Sequence, residues 1–181
     1  MPIAEAIHTE TIAQSFLKEI ETQAPIMRRY LERVPEDKLL WKPHEKSMTA
    51  GQLALHVAEV PGRIVAFVQT NPAPAPKSFV AAQPASKDEI MKALDTSLET
   101  VRRELPKFSD AAMREMWSLE AEGKTLVVMP RGEFLRDVMF SHIYQHRGQL
   151  CVYLRMLEVP VPASWGPSAD EPPLFMQHPK E

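Results

Sequence analysis

The chain has 181 residues, 44% hydrophobic and 25% charged, with a formal net charge of -3; this is the make-up of one globular domain, residues 1–181, with a real core. That charge, and the lack of a basic block or arm, removes the electrostatic ground for nucleic-acid binding. No apolar run reaches the ~20 residues that span a bilayer, no signal-peptide pattern opens the chain, and the single cysteine excludes an intrachain disulfide, so a reducing cytoplasm is the expected compartment.

Residues 8–33 carry the first helical pattern, with Ile12, Phe16, Ile20, Met27 and Leu31 near a 3.6-residue period. Pro25 removes a backbone donor, so a kink or break is expected near Glu21–Ala24. Leu40 to Ser47 then reads as a stiff connection carrying one large aromatic, Trp41. Thr49 and Gln52 have capping-box spacing and open a second helix, whose face holds Leu53, His56, Val57, Val60, Ile64 and Phe67. Pro61-Gly62 should bend that helix one turn past the histidine. Asn71 to Ala85 is proline-rich and reads as a long, stiff crossover rather than a domain boundary.

Ser86 and Glu89 repeat the capping pattern, and Ile90, Leu94, Leu98, Val101 and Leu105 mark a third helix ending at Pro106. Between Phe108 and Pro130 the period changes, and Met116–Glu120 and Thr125–Met129 flank Glu122-Gly123 as a short β-hairpin. Arg131 to Leu157 is the fourth helix. Its expected inner face is Phe134, Leu135, Val138, His142, Ile143, His146, Leu150, Tyr153, Leu154 and Leu157. The fold class that follows is all-α: a four-helix bundle with a long Pro-rich crossover and a short β-hairpin before the last helix.

His142 and His146 are spaced i, i+4 and lie ~40° apart on a helical wheel, one turn above the other. Core histidines also satisfy themselves on carbonyls or water, so the pair alone does not decide between packing and ligation. His56 is the one further histidine within a strong helical pattern, and a polar ring among aliphatic residues needs a partner. Three inward imidazoles in one small bundle have few other ways to be satisfied. The expectation is a site formed by His56, His142 and His146 for Zn²⁺, Ni²⁺ or Fe²⁺, with an open coordination position.

Cys151 lies roughly 180° round the wheel from His142 and reads as a packing residue. His8, His44 and His178 fall in terminal or loop segments and read as solvated. Glu59, one turn from His56, is either an acceptor behind the metal ligands or a surface glutamate. Gly148 inside a helix costs ~1 kcal/mol relative to alanine, which points to close approach of another backbone. Arg147 is placed to fork onto Asp170 or Glu171 if the tail folds back. A tail holding Trp165 and a Gly-Pro turn beside two carboxylates is expected to be ordered against the helices.

The run His142-Ile-Tyr-Gln-His146-Arg-Gly-Gln-Leu-Cys-Val-Tyr-Leu-Arg155, with Val-Pro-Val-Pro162 and Gly166-Pro-Ser-Ala-Asp-Glu171 after it, resembles the C-terminal signature of the DinB/YfiT-like superfamily. Trp41-Lys-Pro-His-Glu-Lys-Ser47 and Leu53-Ala-Leu-His56-Val-Ala-Glu are similar to its upstream motif. The resemblance spans about Ile12 to Glu171. It implies a four-helix bundle whose second and fourth helices supply three metal-binding histidines, which here are His56, His142 and His146. The chain departs from the usual pattern at Gln145, where many relatives have histidine, at Ser141, where many have asparagine, and at Trp165, where tyrosine is commoner.

The resemblance also implies a homodimer, an association with stress response, and chemistry on small molecules. Relatives include thiol-dependent S-transferases and isomerases, and others carry the description of metal-dependent hydrolases. A metal-dependent S-transferase taking a small-molecule thiol and an electrophile is therefore the first expectation. Hydrolysis at the same site and a non-catalytic metal-binding role are the alternatives. No residue is assigned as the general base; Glu59 and His44 are the candidates.

Overall fold

The computed structural model of the chain describes residues 10–78 and 80–177. His8, His178 and the first two residues assigned above to the first helix lie outside that range. The described residues are mostly helical, with a small three-stranded sheet. No helix among them is long and apolar enough to cross a membrane.

The first helix, α1, runs Ile12–Glu32. It opens on a full capping box: Thr11 accepts from the Gln14 N–H, and Gln14 accepts from the Thr11 N–H. Pro25 lies inside this helix, and of the kink or break expected near Glu21–Ala24 a break does not occur. Pro25 and Glu21, whose carbonyl loses its partner, are both exposed, while Ala24, Ile26, Met27 and Leu31 are buried. Water can satisfy the freed carbonyl, and burial of the other face keeps the helix whole.

Helix α2, Ala50–Phe67, starts at the expected Thr49–Gln52 capping box and continues through Pro61. It is buried on most of its circumference, from Ala50 and Leu53 through Val57 and Val60 to Val65. Its tightest contact is with α3, Lys87–Glu104. The Gly62 N–H donates to Ser97 Oγ at 2.8 Å, and Ser97 Oγ donates to the Glu59 carbonyl at 3.3 Å. A Cβ at Gly62 would sit 2.8 Å from both the Cα and the carbonyl oxygen of Ser97. The glycine therefore permits this helix–helix approach.

The segment between α2 and α3 is non-helical, and Ala73–Pro74 forms a two-residue strand, β1. It pairs in parallel with β2, Met116–Ala121, which pairs antiparallel with β3, Lys124–Pro130. Glu122 and Gly123 both take positive φ, 50° and 74°, as a two-residue hairpin turn of right-handed twist requires. Strand β1 and a one-turn helix α4, Asp110–Arg114, are additions to the sequence reading. Trp117 on β2 is fully buried; its Nε1 donates to the Thr70 carbonyl, and its ring lies 4.2 Å from that of Phe134.

The fourth helical segment is continuous in space but not in type. After a single turn, α5 (Arg131–Phe134), Leu135–Ser141 is wound as π-helix, and α6 (His142–Met156) resumes the α-form. The wider turn takes up extra residues, so no single α-wheel describes both halves. Phe140 is therefore buried although a straight wheel puts it outside, and Val138 is only half-buried. Helix α2 packs against α1, α3 and α6, and α1 against α3 and α6, around one connected hydrophobic cluster.

The tail is ordered as far as Gln177, where a last turn, α7 (Leu174–Gln177), ends the described residues. Glu171 accepts from Arg29, from Arg33 at 3.0 Å and from the Ala163 N–H at 3.0 Å. Asp170 accepts from Arg155 and from the Val161 N–H, and Ser168 Oγ donates to the Val161 carbonyl. Arg147 is not the partner expected for the two carboxylates; it bonds Gln23 and lies over the Tyr144 ring. Trp165 is 52% exposed, so the carboxylates rather than the indole hold the tail. Gly148 meets nothing within 4 Å of an added Cβ, so the expected close backbone approach is absent there.

Two substitutions test these contacts. Gly62→Ala should destabilise the protein by about 1–3 kcal/mol in a denaturant titration, because Ser97 backbone cannot give way. Glu171→Ala should cost about 1–3 kcal/mol and make the chain after Val161 the first site of limited proteolysis. Unchanged stability of either variant would contradict the corresponding contact.

Candidate metal centre

His56 sits in the middle of α2, and His142 and His146 form the first turn of α6 and the next. The two helices are clamped near the start of α2. Trp41 meets Tyr153 edge to face at 5.5 Å, and Tyr153 Oη donates to the Met48 carbonyl at 3.2 Å. The π-wound stretch ends at Ser141 and so sets the phase at which α6 presents its two histidines.

The three rings come together. Centroids are 4.9 Å apart for His56–His142, 4.8 Å for His56–His146 and 4.5 Å for His142–His146. One ligand atom from each lies within 4.8 Å of the others, a grouping able to hold a metal ion. His56 Nε2 and His142 Nε2 are 3.1 Å apart. Two nitrogens bound to one ion at ~2.1 Å and a tetrahedral angle would be ~3.4 Å apart, so little movement is needed to admit one. His146 is buried, while His56 and His142 are half-buried, leaving one side of the group toward solvent.

The electrostatics favour the neutral form of His56 and of His142. Burial pushes His56 down from its ordinary 6.5 to about 4, with His146, His142 and Arg63 adding to the shift. Burial also lowers His142, helped by His146 and opposed by a hydrogen bond with the Val138 backbone. Desolvation penalises the charged imidazolium, and a neutral imidazole is the form that ligates. His146 Nδ1 lies 2.7 Å from Gln149 Oε1, a partner the sequence reading did not single out.

The other candidates are placed elsewhere. Glu59 pairs with Arg63 at 3.1 Å instead of with a histidine. His44 is exposed in the loop before α2, and its Nδ1 accepts from the Lys46 N–H. Cys151 is half-buried against the core and outside the histidine group, consistent with a packing role. A groove of about 430 Å³ between α2 and α3, lined by Glu59, Arg63, Lys92 and Thr96 among others, does not include the three histidines.

The family model of the DinB superfamily matches residues 19–150. The chain belongs to the DinB superfamily. It is similar in structure to a DinB-like protein from Bacillus cereus ATCC 10987, with TM-score 0.61 and 21% identity over 86% of this chain and 98% of the other. A second similar structure is the DinB-like protein YjoA from Bacillus subtilis, with TM-score 0.60 and 18% identity over 82% of this chain and 95% of the other. At such identities the likeness concerns the fold. No curated protein matches the sequence.

The lowered His56 value gives a signed expectation for the metal-free protein. Because the folded ring binds a proton less readily than the unfolded one, stability should fall as pH drops from 6.5 and level off below about 4. Denaturant titrations across that window should show a shallower pH slope for His56→Ala. An identical slope would contradict a buried, neutral His56.

Proposed function

We propose that His56, His142 and His146 hold one divalent ion, Zn²⁺, Ni²⁺ or Fe²⁺, and that the chain is a metal-dependent S-transferase joining a small thiol to an electrophile. The same reading takes the four long helical segments as a four-helix bundle and the proline-rich segment before α3 as its crossover. The observation that carries the proposal is the grouping of three imidazoles, from two helices, with ligand atoms within 4.8 Å. The donor set fits a borderline first-row ion: three neutral nitrogens with a position left for an outside ligand. When bound, such an ion lowers the pKa of a thiol or water that it coordinates.

The residues around the histidines divide the remaining work. Val57, Val60, Ile143 and Leu150 are buried on the same two helices and keep the inner side of the site dry. Among the described residues no carboxylate or thiol joins the three histidines, and Glu59 is already paired with Arg63. Attack by water gains from a positioned general base, whereas a thiol that has lost its proton needs none. This favours thiol transfer over hydrolysis: the S–H proton leaves to solvent, the sulfur forms the new bond to the electrophilic carbon, and the electrophile's leaving group departs with the electron pair of the bond that breaks.

Purified without a histidine tag, the protein should carry one divalent ion by metal analysis, and His142→Ala should lose it. The variant should stay folded with a stability cost of about 1–3 kcal/mol, because a buried ring then needs a new hydrogen-bond partner. It should also lose acceleration of thiol conjugation in a screen of small bacterial thiols against model electrophiles. Wild type without bound ion after metal addition would overturn the site. Wild type with metal but no acceleration would replace the transferase by a non-catalytic metal-binding role.

A further inference from the structure

Arg147-Gly148-Gln149 follows directly on the second histidine of α6, and the first two residues of that motif have other occupations. Arg147 bonds Gln23, and Gly148 lies on open surface. Gln149 is three residues beyond His146, where helical geometry brings the two side chains together. Its Oε1 lies 2.7 Å from His146 Nδ1. We propose that Gln149 is a positioning residue for His146, holding the ring in the tautomer with hydrogen on Nδ1 so that Nε2 offers its lone pair to the histidine group.

The polarity follows from the neighbours. His146 is 8% exposed, so its orientation depends on protein partners more than on bulk water. If the Gln149 amide nitrogen donated to Nδ1, the hydrogen of the neutral ring would sit on Nε2, facing the other two rings. His56 Nε2 and His142 Nε2, 3.1 Å apart, already share a hydrogen between them when no ion is bound. A second hydrogen directed at that contact would meet either an N–H or a lone pair already engaged. With the Gln149 carbonyl as acceptor, its amide hydrogens face solvent, and no buried side-chain polar atom among the described residues is left without a partner. Histidine ligands are commonly fixed in this way by an acceptor on the far nitrogen, which also raises the basicity of the ligating one. The alternative is an ordinary surface contact between residues one turn apart, worth a few tenths of a kcal/mol.

The test separates these roles with two variants and two readouts. Gln149→Leu keeps the size of the side chain and removes the acceptor; Gln149→Glu keeps an acceptor in the same place. Nitrogen-15 spectra of histidine-labelled, metal-free protein should show His146 with hydrogen on Nδ1 in wild type and Gln149→Glu, and a mixture in Gln149→Leu. Zn²⁺ affinity, measured by competition with a chelating dye, should fall about 10–100-fold in Gln149→Leu and stay within about threefold in Gln149→Glu. Thermal unfolding of the metal-free variants should be near wild type, since the side chain is exposed.

Unchanged tautomer and affinity in Gln149→Leu, or equal losses in both variants, would overturn the proposal. The affinity arm rests on the metal reading above, and the spectral arm does not. Wild type that binds no Zn²⁺ would remove the metal site, and the His146 tautomer would still decide the role of Gln149.

Discussion

The approach of α2 to α3 at Gly62 and Ser97 is the contact on which the candidate site depends. Helix α2 lies between α3 on one side and α6 on another, and it is buried on most of its circumference. Its rotation cannot be adjusted freely: the Gly62 N–H is tied to Ser97 Oγ, and there is no room for a Cβ. His56 is six residues earlier on the same helix. With the far side of α2 locked, the imidazole has to emerge on the α6 side, where two more imidazoles stand. Close packing gives the site its rigidity here, because interiors at crystal-like density transmit a displacement instead of absorbing it.

The partner helix reaches its phase by a different route. An uninterrupted α-helix from Arg131 would keep Phe134, Leu135 and the histidine pair on one wheel. The π-wound Leu135–Ser141 rotates the first half relative to the second, so that Phe140 is buried while His142 and His146 still face α2. π-turns are rare and occur often at functional sites. Buried Arg131 strengthens the start of this segment. It donates to the carbonyls of Val68 and Ala112, pairs with Glu115 and lies over the Phe108 ring. One guanidinium thereby joins the end of α2, α4 and the hairpin, and satisfies carbonyls that would otherwise be stranded.

What could be read from the sequence is local chemistry with a fixed spacing. The Thr49–Gln52 box, the Glu122-Gly123 turn and the i, i+4 histidines each depend on residues a few positions apart, and each appears as expected. Of the expected Ser86–Glu89 box only the Ser86 cap forms, and Glu89 accepts from the Ala85 N–H instead. The third histidine was legible because a polar ring within an apolar stripe demands a partner. What failed needs knowledge of which side faces water. Pro25 is tolerated because its side of α1 is exposed, and Gly148 needs no neighbour because its side of α6 is open. Arg29 and Arg33 hold Glu171 where Arg147 was expected, since choice of partner follows the return path of the tail. The π insertion and the 2.7 Å contact of Gln149 leave no mark in residue periodicity. A glutamine one turn past a histidine is nonetheless a pattern worth noting, because the helix itself sets that pair in reach.

The charge balance of the histidine group bears on which ligands it would select. Three neutral imidazoles offset none of the charge of a divalent ion, and among the described residues no carboxylate stands in the group to do so. Arg63 adds positive potential at His56. A dication placed among half-buried groups is poorly solvated unless something negative completes its surroundings. On the proposed metal reading that part would fall to a molecule from outside, which the half-buried His56 and His142 leave room to approach. A small, soft anion such as a thiolate meets the requirement with a single atom. A neutral carbonyl compound does not.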